Sequence, residues 1–142
     1  MSTDTGEAGM TVETTRSAKR RAIVVDDSRA MRTILRKALE RIGFEVLEAG
    51  HGKEALSRLA LVRIPDLALV DWNMPEMNGI ELVQALRRDH NYDRMAVVMV
   101  TSETDPEHVE RALTSGANDY LMKPLDGEAL SEKLLRLGLV GA

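Results

Sequence analysis

Leu67-Ala68-Leu69-Val70 is an unbroken apolar run with no helical stripe, and it ends on a carboxylate, Asp71. A run of this kind fits a strand buried on both faces of a parallel sheet. Pro75 and Asn78-Gly79 prevent the strand from continuing and mark a loop. Asp71 is therefore expected at the carboxyl end of a central strand, facing the crevice where open α/β sheets place their chemistry. Taken alone, Asp71 could equally be a plain strand terminator or a helix cap; its weight comes from the rest of the chain.

The same pattern recurs on both sides of that run. Ala22 to Val25 is apolar and closes on Asp26-Asp27, and Met95 to Val100 closes on Thr101-Ser102. Asp119 to Met122 closes on Lys123-Pro124. Phe44 to Ala49 alternates apolar and acidic residues, which suits an edge strand. Helical periods separate these runs. From Ser28, the stripe Met31, Ile34, Leu35, Ala38, Leu39 and Ile42 keeps a 3.6 period up to Gly43, a typical helix-ending residue. After the turn Gly50-His51-Gly52, a helix is expected from about Lys53 to Val62, with Ala55, Leu56, Leu59 and Ala60 inward. A third spans Gly79 to Arg88, with Ile80, Val83 and Leu82 or Leu86 buried. Asp89 to Arg94 reads as a polar loop, Asp105-Pro106 opens a weakly striped helix through Val109, Ala112 and Leu113, and the last helix runs from about Asp126 to Leu137. Strand and helix alternate five times, which means a parallel sheet with helices on both faces.

Composition narrows the class further. Residues 1–18 are rich in Thr, Ser, Gly, Glu and Ala and bury too little to offset their ordering entropy, so they read as a flexible tail before one domain, 19–142. Lys19-Arg20-Arg21 reads as a solvated entry to the first strand rather than a docking patch. A net charge of −4 argues against a general nucleic-acid or membrane-surface binder. With no cysteine there is neither a disulfide framework nor a thiolate metal site. No apolar run approaches the roughly 20 residues of a membrane span and no secretory signal opens the chain, so a cytoplasmic protein is expected. His51, His90 and His108 show no metal-ligand spacing and read as surface residues.

On one rim of such a sheet, Asp26, Asp27, Asp71, Thr101 and Lys123 come together. Neighbouring carboxylates repel and raise one another's pKa unless a cation joins them. Hard oxygen ligands suit Mg²⁺, which keeps waters and accepts phosphate oxygens. A lysine and a hydroxyl beside them would stabilise the further negative charge of a phosphoryl group, and a carboxylate can itself be the nucleophile.

In their order and spacing, Val24-Val25-Asp26-Asp27-Ser28, Asp71-Trp72-Asn73-Met74-Pro75 with Asn78-Gly79, Thr101-Ser102, and Tyr120 with Lys123-Pro124 resemble the receiver domain of bacterial two-component response regulators. The resemblance covers about Arg21 to Leu137. It implies a flavodoxin-like (βα)5 fold, a doubly wound five-stranded parallel sheet of strand order 2-1-3-4-5. It further implies that Asp71 is the phosphoacceptor and that Mg²⁺ is held by Asp26, Asp27, Asp71 and the backbone carbonyl of Asn73. Lys123 resembles the lysine that contacts the phosphoryl group, Thr101 the switch hydroxyl and Tyr120 the aromatic that turns with it. The implied partner face carries Val109, Leu113, Tyr120, Met122, Leu125, Lys133 and Arg136.

The implied phosphodonor is a sensor histidine kinase. The implied output is binding to a downstream protein, a flagellar motor switch protein in the chemotaxis version, by a monomer. Asn73 and Glu103 resemble CheY-like, chemotaxis-type receivers, which implies fairly rapid self-dephosphorylation. His51-Gly52 departs from the Asp-Gly common in receivers. With no chain after the fifth helix, output by an attached domain is not expected. A phosphorelay intermediate that hands its phosphoryl group to a histidine phosphotransfer protein is the alternative within this class. The competing enzyme reading is a Mg²⁺-dependent, aspartyl-nucleophile phosphatase of the haloacid-dehalogenase type. That class needs a second Asp two residues after the nucleophile as general acid. Asn73 and Ser28 stand at that spacing from Asp71 and Asp26, and neither can supply the proton at neutral pH. The expectation is a phosphoacceptor signalling domain that catalyses only its own phosphorylation and dephosphorylation.

Overall fold

A computed structural model describes residues 19–102 and 106–140. Its strands are β1 (Arg21–Val25), β2 (Glu45–Ala49), β3 (Leu67–Asp71), β4 (Ala96–Thr101) and β5 (Asp119–Met122). Its helices are α1 (Arg29–Ile42), α2 (Gly52–Leu59), α3 (Gly79–Arg87), α4 (Pro106–Thr114) and α5 (Gly127–Arg136), with one 3-10 turn at His90–Tyr92. All strand pairs are parallel and the order is β2-β1-β3-β4-β5, the flavodoxin-like arrangement that the resemblance implies.

The unbroken apolar runs are explained by two cores, one on each face of the sheet. Ile23, Val25, Ala68, Val70, Val97 and Met99 point to one face and pack with Leu59, Val83, Leu86 and Ala112. Their sequence neighbours Ala22, Val24, Leu67, Leu69, Val98 and Val100 point to the other and pack with Leu35, Leu39, Leu130 and Leu134. A strand covered on both sides has no solvent face to keep polar, so alternation disappears from its sequence. Helices α1 and α5 thus lie on one side, and α2, α3 and α4 on the other.

The helix ends follow local chemistry. The Ser28 hydroxyl accepts from the Met31 amide at 3.2 Å, and Gly43 takes φ 114°, a left-handed value that glycine adopts without a Cβ clash. Asn78 and Glu81 form a reciprocal capping box on α3. Asp126 caps α5 through the Ala129 amide at 2.8 Å.

Several details differ from the sequence reading. Ile34, expected inside, is 53% exposed because it sits at the edge of the α1 stripe. α2 stops at Leu59, which leaves Ala60 exposed, and Leu113 of α4 is partly exposed beside buried Ala112. The polar loop 89–94 hides Tyr92 in the core. Leu82 and Leu86 of α3 are both buried rather than one of them. The expected tail, the Asp105 cap and Glu103 lie outside the described residues. Among the described residues no helix is long and apolar enough to cross a membrane.

Candidate functional site

The strands bring their closing polar residues to one rim. Three of these are buried where a folded chain rarely leaves polar groups: Asp26 at 1% exposure, Asp71 at 6% and Thr101 at 3%. Asp71 is the last residue of β3, and Asp26 directly follows β1, its amide donating to the Ala49 carbonyl at 3.1 Å. Lys123 follows β5. Its amide donates to the Thr101 carbonyl at 2.8 Å, which seats it beside the end of β4. From there its Nζ donates to Asp71 Oδ1 at 3.0 Å and to Asp26 Oδ2 at 3.3 Å. The other oxygen of Asp26 accepts the Ser28 amide at 2.8 Å.

Gly79 lets α3 close against this rim. Its amide donates to the Trp72 carbonyl at 2.9 Å, and a Cβ at this position would run into the Asp71 carbonyl oxygen and the Met99 methyl. Any larger residue would push α3 away from the strand end that carries Asp71.

Asp26, Asp27 and Asp71 each offer a carboxylate oxygen within 4.8 Å of the others, with Asp27 exposed and the other two buried. Burial raises the Asp71 pKa above the usual carboxylate range; the charges of Asp26 and Asp27 push the same way, and Lys123 pulls back. Burial acts to lower the pKa of Lys123, but its bonds to and attraction by Asp71 and Asp26 win, and the pKa is raised. When all four groups are ionised, one ammonium faces three carboxylates, so the rim keeps excess negative charge. An all-oxygen donor set with unmet negative charge, open to solvent at Asp27, is chemically suited to a hard divalent cation.

The remaining predicted site residues lie around this cluster. The Asn73 side chain is exposed on the loop that leaves β3. Tyr120 is half-buried, and its ring lies under Lys133 Nζ at 5.0 Å from the ring centroid, within cation–π range. Lys133 is held there by Asp119 Oδ1 at 3.1 Å. Val109, Met122 and Leu125 are half-buried, whereas Leu113 and Arg136 are exposed. These residues do lie on α4, β5, α5 and the loop that joins β5 to α5.

Two of the three histidines are not the plain surface groups expected. The His108 ring, on α4, packs edge-on against Trp72 with centroids 5.2 Å apart and is half-buried. His51 caps α2, its Nδ1 accepting the Glu54 amide at 3.2 Å. Arg32 was not singled out in the sequence. It reaches from α1 to donate to the Asp26 carbonyl at 2.6 Å and to Glu48 at 3.2 Å. The available signal was charge alternation: Arg32 and Arg36 lie one turn apart on α1, ahead of Glu45 and Glu48 of β2.

Comparison with known proteins agrees with this geometry. Residues 22–135 match the family model for the response regulator receiver domain. The chain is 43% identical over 113 residues to chemotaxis protein CheY1 of Helicobacter pylori strain J99, covering 79% of this chain and 91% of that one. It is 45% identical over 113 residues to the chemotaxis protein CheY homolog of Campylobacter jejuni, covering 79% and 87%. The solved structure of Vibrio cholerae chemotaxis protein CheY4 superposes with a TM-score of 0.79 at 36% identity, covering 84% of this chain and 98% of that one.

Proposed function

The chain belongs to the response regulator receiver domain family, of the CheY-like chemotaxis type, and we propose that Asp71 is its phosphoacceptor, charged by a sensor histidine kinase. One observation carries this reading: the Lys123 ammonium bridges Asp71 and Asp26, with Asp27 completing a carboxylate cluster at the strand ends. In the proposed step an Asp71 carboxylate oxygen attacks the phosphorus of a phosphohistidine in line. The P–N bond breaks, and its electron pair leaves with the donor imidazole. Lys123 orients the Asp71 carboxylate and offers positive charge to the transferred oxygens.

Asp26, Asp27, Asp71 and the carbonyl of Asn73 would hold Mg²⁺, which would neutralise the charge that builds on the phosphoryl oxygens. Thr101, buried at the end of β4, is the hydroxyl that would turn toward the new phosphoryl group, and Tyr120, two strand positions from Met122, is the aromatic whose setting changes with it. The output in this reading is altered binding of a target protein, a flagellar switch component by analogy with the chemotaxis relatives, on the α4-β5-α5 face.

The test is mass spectrometry after treatment with Mg²⁺ and acetyl phosphate, with Trp72 fluorescence recorded in parallel. The wild type should gain one phosphoryl group and change its emission, and Asp71→Asn should do neither. An unchanged wild-type mass and emission would end the phosphoacceptor reading. Recovery of a histidine phosphotransfer protein by the beryllofluoride-loaded form, in place of a motor component, would identify a relay intermediate.

A further inference from the structure

β2 ends at Ala49 and the chain turns away at Gly50, yet Asp26, just past the end of β1, still donates its amide to β2. In a parallel ladder the amide and carbonyl of one residue are served by the same neighbouring strand. The Asp26 amide has its partner, Ala49 O at 3.1 Å, but beyond the turn β2 can no longer supply one for the carbonyl. Arg32 takes that place. Its Nη1 donates to Asp26 O at 2.6 Å, and its Nε donates to Glu48 Oε1 at 3.2 Å. Glu48 is itself shared, its second oxygen accepting Arg36 Nε at 2.8 Å. The Arg32 side chain is only 18% exposed. A guanidinium gripped at both ends in this way has little freedom.

The Asp26 carbonyl belongs to the peptide plane that also carries the amide of Asp27. Fixing that plane sets the direction in which the Asp27 side chain leaves the backbone. Asp27 is the exposed member of the carboxylate cluster, and nothing in a regular element orients it. We propose that Arg32 is a positioning residue for the cation site: clamped by Glu48, it fixes the Asp26–Asp27 peptide and so presents Asp27 to the divalent ion. This rests on the reading of that rim as a Mg²⁺ site.

The proposal predicts the opposite sign to simple electrostatics. Arg32 is a positive charge close to a cation site, and by charge alone its removal would tighten Mg²⁺ binding. By positioning, its removal weakens binding. Arg36 supplies the control. It lies on the same helix, carries the same charge and contacts the same Glu48, but does not reach Asp26.

The experiment is a Mg²⁺ titration of the unphosphorylated full chain by calorimetry, with thermal melts of every variant. Arg32→Met should weaken Mg²⁺ binding about tenfold, as loss of an outer-shell support does. Arg36→Met should change it by no more than about twofold. Glu48→Gln keeps the guanidinium but loosens its grip, and should weaken binding roughly threefold; it carries the test if Arg32→Met fails to fold. Unchanged or tighter binding in Arg32→Met, or equal shifts in Arg32→Met and Arg36→Met, would overturn the proposal, as would an unchanged constant in Glu48→Gln. A wild type that binds no Mg²⁺ would instead remove the metal-site reading beneath it.

Discussion

The two ends of this sheet handle charge in opposite ways. At the carboxyl end, one lysine bonds two of three clustered carboxylates, Asp26 and Asp71, and burial works against Asp71 being ionised. At the amino end, Arg87 of α3 is half-buried and makes four hydrogen bonds. It donates to Gly116 O at 2.9 Å, Tyr92 O at 2.7 Å, Met95 O at 2.9 Å and Asn118 Oδ1 at 2.9 Å. Asn118 Oδ1 also accepts the Val97 amide at 2.7 Å. One guanidinium therefore ties α3, the turn before β4 and the turn before β5. The amino end satisfies its buried polar groups within the protein. The carboxyl end leaves negative charge for something else to meet. A parallel sheet makes this division natural, since all strands begin on one edge and end on the other.

Substitutions at the two ends should therefore differ in sign as well as size. The largest effect is expected from Arg87→Met, which strands the Gly116 and Met95 carbonyls, leaves that of Tyr92 with only the Met95 amide, and should cost about 3 kcal/mol. Thermal unfolding would show a Tm lower by roughly 10 °C, with phosphoryl uptake at low temperature preserved. A small shift in Tm would mean that water readily replaces the guanidinium and that the amino end is not the anchored one. Next comes Gly116→Ala at the same end. Gly116 has φ 119°, and an added Cβ would meet Arg87 Cγ at 2.5 Å, so a loss of about 1–2 kcal/mol is expected in denaturant titrations.

The smallest effect, of opposite sign, belongs to Asp71→Asn. The fold raises the Asp71 pKa above its unfolded value near 3.8, so the folded protein holds this proton more tightly than the unfolded chain does. The associated stability is present below that value and is lost as pH rises through the elevated folded pKa. At neutral pH in chelator the ionised Asp71 is thus a burden, and Asp71→Asn should melt a few degrees higher than wild type. The gap should close in acid. A variant less stable than wild type at neutral pH would show that Lys123 compensates Asp71 fully and that the carboxyl end is not under electrostatic tension.

What the sequence disclosed follows the same division. The sheet was legible because strands covered on both faces lose their alternation, and the carboxyl end because a polar residue closing an apolar run is conspicuous. Asp26, Asp71, Thr101 and Lys123 all have that form. The amino end was silent. Arg87 there, and Arg32 at the carboxyl end, are charges on amphipathic helices and look solvated, since a long side chain does not reveal in one dimension that it curls back to a carbonyl. His108 was misjudged for a related reason. The weak stripe of α4 did not show that its ring shelters Trp72. Ile34 failed in the opposite direction, because a 3.6 period marks a stripe without saying how much of its width the neighbouring elements cover.

The Arg87 fastening has a mechanical consequence for α4. The Ala117 amide donates back to Ala112 O at 3.1 Å, and Gly116, just past the helix, is held by the guanidinium. The helix is thus pinned at its carboxyl-terminal end, while its other end, which bears His108, lies towards Trp72 and Asp71. At 1.5 Å per residue, the rod from Pro106 to Thr114 is about 13 Å long. A rod fixed at one end behaves as a lever: any tilt produces its greatest travel at the far tip and almost none at the pivot. Displacement originating beside Asp71 would therefore be delivered with the longest arm where α4 meets Trp72, and would fade towards Gly116.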